Sequence, residues 1–167
     1  MVLNKCVREF ALAALLLACV AYFAYGDMRE ADSQARPWMS TVILPNEVAG
    51  LDWVVENTQE RTVFATDIFG GEMMMGHTLR EGTVGGDWAI IPNVVQRMND
   101  VQYKIYGASD SKQAHEYAVK YGAKYVWVPK RMVFAGYEWK WPSQVFGDSA
   151  YFKRVFDNEG VSVYEVL

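Results

Sequence analysis

The chain has 167 residues, with 16 Lys and Arg against 20 Asp and Glu, so its formal net charge is −4. A mildly acidic chain of this length argues against nucleic-acid binding and is long enough for one compact domain. Its two cysteines, Cys6 and Cys19, both lie near the N-terminus, which excludes a disulfide or a zinc–cysteine site from the rest of the chain.

The first predicted element is an apolar run, Phe10–Tyr25, with Lys5 and Arg8 just before it. As a helix, these roughly 16 residues reach about 24 Å, slightly less than the ~30 Å hydrocarbon core of a bilayer. The two basic side chains can extend to the lipid headgroups. We therefore expect residues 1–26 to be a single-pass anchor in the cell membrane. Because the positive charges precede the run, the N-terminus is expected in the cytoplasm and the remaining chain outside it.

Two other interpretations of the apolar run stay open. A cleaved signal peptide has the same basic start, but Tyr22, Phe23 and Tyr25 are bulky where small residues are expected. A lipoprotein signal ending at Cys19 would need the chain to turn polar after the cysteine, and it stays apolar instead. A retained anchor explains both features and is the favoured interpretation.

A polar connector is expected at 27–44, followed by an extracytoplasmic domain at 45–167. Apolar residues three or four apart predict helices there, and β-branched or alternating apolar residues predict strands. In chain order the first elements are a helix at 45–57, a strand at 62–66, an irregular or helical piece at 70–75 and a Gly-rich loop at 77–88. A helix from residue 92 follows, whose end also has the alternating pattern of a strand, and then a helix at 110–121 and a strand at 125–128. The last elements are a loop at 129–142, a short helix near 143–152 and a hairpin at 154–166. This order predicts an α/β domain of two or three layers, with a small mixed sheet and a C-terminal β-hairpin.

The order of these pieces resembles a known family. It is similar to the C-terminal extracytoplasmic domain of archaeal and bacterial multi-pass membrane glycosyltransferases of the GT-C type, which include oligosaccharyltransferase catalytic subunits and protein mannosyltransferase-like proteins. The resemblance covers roughly 45–167. The matching pieces are the helix end Trp53–Thr58, the strand ending at Asp67, the Arg80–Gly82 and Gly85–Trp88 loop, the helix that begins Ser-Lys-Gln-Ala, the segment Tyr121–Val128 and the closing hairpin.

The resemblance implies a lipid-linked sugar donor, usually a polyprenyl phosphate sugar, and acidic catalytic residues in loops between early transmembrane helices. Only one spanning segment precedes this domain, and Gly86-Asp87-Trp88 is not the Trp-Trp-Asp motif of oligosaccharyltransferase. We therefore expect a domain that is not catalytic alone, needs no cofactor and helps bind or orient donor or acceptor beside a multi-pass membrane partner. The alternative is an accessory or assembly subunit of another membrane complex. Whether the chain is a separated tail or a piece of a longer protein stays open.

Polar residues at strand ends and in loops are the candidate ligand-binding residues. Asp67, Glu72, His77 and Asp87 have side chains that bind divalent cations. Their spacing matches no known metal loop, however, and such residues are more often solvated or hydrogen-bonded to the backbone. No metal site is therefore predicted.

Two further groups of residues are candidates for binding sugar or phosphate. Arg80 with Gly85 and Gly86, next to Trp88, can hold an anion through the guanidinium and backbone amides, although a purely structural Gly-rich turn is favoured. The aromatic residues of the second group alternate along an extended segment, where they stack on a sugar, lie against the membrane or pack onto the sheet. This second group is Tyr137, Trp139 and Trp141.

Overall fold

The computed structural model describes residues 2–39, 43–85, 92–131, 133–134, 137–138 and 143–167. The chain divides into two compact units. One comprises Met1–Ser40 with Phe134–Gly136, and the other comprises Thr41–Val133 with Tyr137–Leu167.

The first unit contains one long helix, α1, at Val2–Met39. Its segment Glu9–Ala35 is long and apolar enough to cross a membrane, and because it lies near the N-terminus, a signal sequence would have the same properties. The helix continues beyond the predicted anchor at 1–26, so residues 27–39 of the predicted polar connector are helical.

The second unit contains the remaining helices and strands, except for Phe134, which belongs to the first unit. They are α2 (Pro45–Asn57), β1 (Val63–Ala65), α3 (Ile68–Thr78), β2 (Glu81–Gly82), α4 (Val94–Asp100), a π-helical turn (Val101–Tyr106), α5 (Ser111–Lys120), β3 (Tyr125–Pro129), β4 (Val133–Phe134), β5 (Tyr137–Glu138), a 3-10 helix (Ser143–Gly147), β6 (Phe152–Asp157) and β7 (Val161–Val166).

The main sheet has five strands in the order β2-β1-β3-β7-β6. The first three strands are parallel, with Phe64 paired to Gly82 on one side and to Tyr125 on the other. β7 runs antiparallel to β3 and forms the closing hairpin with β6. The sheet is therefore mixed, and the predicted hairpin is confirmed.

Helices cover both faces of this sheet, because side chains of successive strand residues point to opposite faces. One core contains Phe64 and Trp127, packed with residues of α2 and α3. The other core contains Ala65 and Val126, packed with residues of the π-helical turn, α5 and the 3-10 helix. The domain has three layers, and the predicted α/β class is confirmed.

The structure departs from the sequence prediction at three elements. The ambiguous piece from residue 92 is neither one regular helix nor a strand, because α4 widens into the π-helical turn at Val101. The Gly-rich loop contains the short strand β2. The helix expected near 143–152 ends at Gly147, and Phe152 already belongs to β6.

Three close-packed glycines lie where α3 meets the chain around β2. A side chain on Gly71 would place its Cβ 1.7 Å from the carbonyl oxygen of Val84. A Cβ on Gly82 or on Gly85 would lie 2.7 Å from a backbone atom of Gly71, and Gly85 has a φ of +126°. These residues let α3 lie directly against the chain that leaves β2, so their first role is packing.

Candidate functional site

The candidate site lies where β1 and β3 end. From β1 the chain passes through α3 to β2, which lies on one side of β1. It then passes through α4, the π-helical turn and α5 to β3, which lies on the other side of β1. The two connections lie on opposite faces of the sheet, because α3 contributes to one core and α5 to the other. Such a reversal opens a crevice at the carboxyl ends of parallel strands, where ligands of open α/β sheets bind. Asp67 follows β1 at this point, and Arg131 follows β3.

The carboxyl group of Asp67 is held in a fixed position. Oδ1 accepts a hydrogen bond from the backbone N–H of Gly70 at 3.0 Å, so Asp67 is the N-cap of α3. The residue is only 7% exposed. Burial raises the pKa of Asp67 from 3.8 to about 6, and the charge of Glu47 adds to this effect. Backbone hydrogen bonds and the charge of Arg131 oppose it. The carboxyl group can therefore change its protonation state near neutral pH.

A buried ion pair lies beside Asp67. Glu47, in the first turn of α2, is fully buried, and its Oε1 is 2.6 Å from Nε of Arg131. Its other oxygen, Oε2, accepts a hydrogen bond from the backbone N–H of Leu44 at 2.9 Å. Glu47 therefore links the start of α2 to the residue that follows β3.

The floor of the site is the π-helical turn. The Tyr106 hydroxyl is fully buried and lies within hydrogen-bonding distance of two backbone carbonyl oxygens, that of Ala65 at the end of β1 and that of Trp127 in the middle of β3. Burial and the nearby charge of Asp67 raise the pKa of Tyr106 well above 10, so its hydroxyl remains a donor.

A small cavity lies beside Asp67. It is lined by side chains of α3, α4, the π-helical turn and the segment after β2. These are Asp67, Ile68, Val84, Met98, Val101 and Gln102. Its volume of about 20 Å³ holds about one water molecule, and four of its six lining residues are apolar.

The other predicted cation ligands do not join Asp67. Glu72 is exposed on α3. His77 lies in the last turn of that helix, about 15 Å along it from Asp67, and its Nε2 is 2.9 Å from Asp52 of α2. Asp87 lies outside the described residues. Among the residues that the structure does describe, no group of three His, Cys, Asp or Glu side chains could hold a metal ion.

Arg80 and Gly85 lie at opposite ends of β2. The guanidinium of Arg80 is buried and donates to three backbone carbonyl oxygens, those of Thr78, Val55 and Thr58. It thereby joins the ends of α2 and α3, and the structure does not bring it to the Gly-rich segment. Gly86 and Trp88 lie outside the described residues, as do Trp139, Trp141 and the side chain of Tyr137.

Sequence reasoning selected Asp67 but missed its partners. Glu47 carried a usable signal, since a Glu two residues after a helix-starting Pro45 is a common capping residue. Arg131 and Tyr106 carried none, because only the tertiary fold brings them to the end of β1.

No protein-family model and no curated protein sequence matches this chain. Among solved structures, it is similar to the C-terminal globular domain of oligosaccharyltransferase from Archaeoglobus fulgidus. The TM-score is 0.52 and the sequence identity 15%, over 75% of this chain and 99% of that one. The fold resemblance predicted from the sequence is therefore confirmed.

Proposed function

We propose that the protein is a membrane-anchored, extracytoplasmic part of a glycosyltransferase system that uses lipid-linked sugars. The observation that carries this proposal is the similarity of its fold to nearly the whole C-terminal domain of an oligosaccharyltransferase. The apolar segment Glu9–Ala35 supports it, because a single helix of this kind would hold the domain at the membrane where lipid-linked sugars lie. The proposed organisation is an anchor at 1–26, a connector at 27–44 and the domain at 45–167.

The proposed role of the domain is to bind or orient the sugar donor or the acceptor, with Asp67 at the centre of the site. A buried carboxyl group that ionises near neutral pH can accept a hydrogen bond from a hydroxyl or amide group of the ligand. The segments that follow β2 and β3 leave the sheet at the same edge as Asp67. They contain the remaining candidate residues, which are Gly86, Asp87 and Trp88 after β2, and Tyr137, Trp139 and Trp141 after β3.

Catalysis is assigned to a multi-pass membrane partner. The described part of the site offers one carboxyl group, an ion pair and a tyrosine that stays protonated. Glycosidases cleave a glycosidic bond with two carboxyl groups placed around it, and here the second carboxyl group, that of Glu47, is held in the ion pair with Arg131.

Deletion of the gene tests this proposal in a host that encodes the protein. We expect glycan occupancy of extracytoplasmic proteins, measured by mass spectrometry, to fall and to return with the wild-type chain. The Asp67→Asn variant keeps the α3 cap and should restore less occupancy than wild type at equal membrane abundance. Unchanged occupancy in the deletion strain would contradict the proposal. Co-purification with subunits of an unrelated membrane complex would then favour the assembly-subunit alternative.

The proposed orientation predicts which cysteines react from outside the cell. The exposed Ser149 lies in the domain, and Cys6 lies before the apolar segment. In a Ser149→Cys variant, we expect a membrane-impermeant maleimide to label position 149 in intact cells, and Cys6 only after lysis. The parent chain is the control for background labelling. Labelling of Cys6 alone in intact cells would show that the orientation is reversed.

A further inference from the structure

The ion pair between Glu47 and Arg131 is unusual in how completely it is buried. Glu47 is fully buried and Arg131 is 19% exposed, with Oε1 and Nε 2.6 Å apart. Removing two charges from water costs several kcal/mol each, so a buried pair adds little net stability over apolar residues of similar size. Its value lies in where it holds the two charges.

The two oxygens of Glu47 make different contacts, a hydrogen bond for Oε2 and an ion-pair contact without hydrogen-bond geometry for Oε1. Oε2 accepts from the backbone of Leu44, and Oε1 faces Arg131, so the carboxylate has one orientation. Because Arg131 follows β3 and Asp67 follows the adjacent strand β1, this orientation holds the guanidinium next to the candidate site. The electrostatic interactions of Asp67 with both residues agree with this placement.

We infer that Arg131 and Glu47 are positioning residues of the candidate site, and that each of their charges adjusts the balance between the protonated and ionised forms of Asp67 that burial sets first. The inference deepens the proposed function, because Asp67 belongs to the site described there. The charged or titratable groups that face Asp67 among the described residues come from three elements. These are Glu47 from α2, Arg131 from the end of β3 and Tyr106 from the π-helical turn.

The charges act on Asp67 in opposite directions. The positive charge of Arg131 favours its ionised form and the negative charge of Glu47 disfavours it. A pair too far from Asp67 to act on it would destabilise the domain when either residue is lost but would leave the titration of Asp67 unchanged. The sign of each change therefore shows whether each charge of the pair acts on Asp67.

The test is a carboxyl ¹³C NMR titration of Asp67 in the full chain, solubilised in micelles, with the signal assigned by its loss in Asp67→Asn. The wild-type midpoint is expected near 6. Glu47→Gln should lower the midpoint, and Arg131→Gln should raise it by roughly one pH unit. If Arg131→Gln does not fold, the double variant Glu47→Gln/Arg131→Gln replaces it. Compared with Glu47→Gln, it lacks only the charge of Arg131, so its midpoint should be higher.

Lys130→Gln is the matched control. Lys130 neighbours Arg131 in sequence, but its Nζ pairs with Asp157 at 2.7 Å, so its loss should leave the midpoint of Asp67 unchanged. Equal midpoints in Glu47→Gln and the double variant, or shifts in the same direction for both single variants, would overturn the inference. If the midpoints of Asp67 shift with the expected signs but deletion of the gene leaves glycan occupancy unchanged, only the proposed function is overturned.

Discussion

Replacing Arg80 with methionine is expected to lower the free energy of unfolding of the domain by about 3–5 kcal/mol. The substitution keeps most of the aliphatic stem but removes every donor of the guanidinium. The carbonyl oxygen of Thr78, which is buried, and those of Val55 and Thr58, which are partly buried, would then lose their Arg80 hydrogen bonds. Each buried acceptor left without a partner costs about 1–3 kcal/mol. Urea unfolding of the full chain in micelles, followed by tryptophan fluorescence, measures the change.

Arg154→Met is the control for this experiment. Arg154 is 60% exposed and lies 3.7 Å from Asp157, so its loss should change the free energy of unfolding by less than about 1 kcal/mol. The Arg80 experiment also tests the phosphate hypothesis. If Arg80→Met unfolds like wild type while inorganic phosphate stabilises only the wild-type chain, Arg80 is a ligand-binding residue rather than a structural one.

Arg80 shows what a sequence pattern leaves open. An arginine before a Gly-rich segment is compatible with phosphate binding and with a buried structural role. The difference depends on which carbonyl groups surround it, and Val55 lies 25 residues away in the chain. Regular elements were more predictable because their signals are local. The helix that ends near Tyr121 and the strand that follows Gly122 are examples, since Gly122 adopts the left-handed φ of +70° expected at a helix end.

Asp67 likewise shows which features of a site can be predicted from the sequence and which depend on the tertiary fold. Its place after a buried strand was evident from the sequence, and this made it a candidate ligand. The groups that determine its chemistry were not evident, because Glu47 and Arg131 are 84 residues apart and meet only when α2 packs near the end of β3. The π-helical turn that supplies Tyr106 has no sequence signal distinct from that of an ordinary helix.

The second large effect is the pH dependence of stability that Asp67 confers. Its pKa in the folded domain, about 6, lies above the ordinary value of 3.8. The folded state therefore binds the proton more tightly than the unfolded state does. The stabilisation from the protonated carboxyl group is complete below about pH 4 and is lost as the pH rises through about 6. From the two pKa values, the loss amounts to about 3 kcal/mol.

Asp67→Asn should remove this loss, because the amide is neutral and its oxygen can still accept from the Gly70 N–H. We expect the variant to gain stability over wild type as the pH rises from about 4 to about 7.5, as measured by urea unfolding. Asp110→Asn is the control, since Asp110 caps α5 in the same way but is exposed. A gain that does not grow with pH would show that Asp67 is not buried as described. A variant that is more stable at neutral pH and yet restores less glycosylation would indicate that the buried carboxyl group is retained for function, because stability alone favours its replacement.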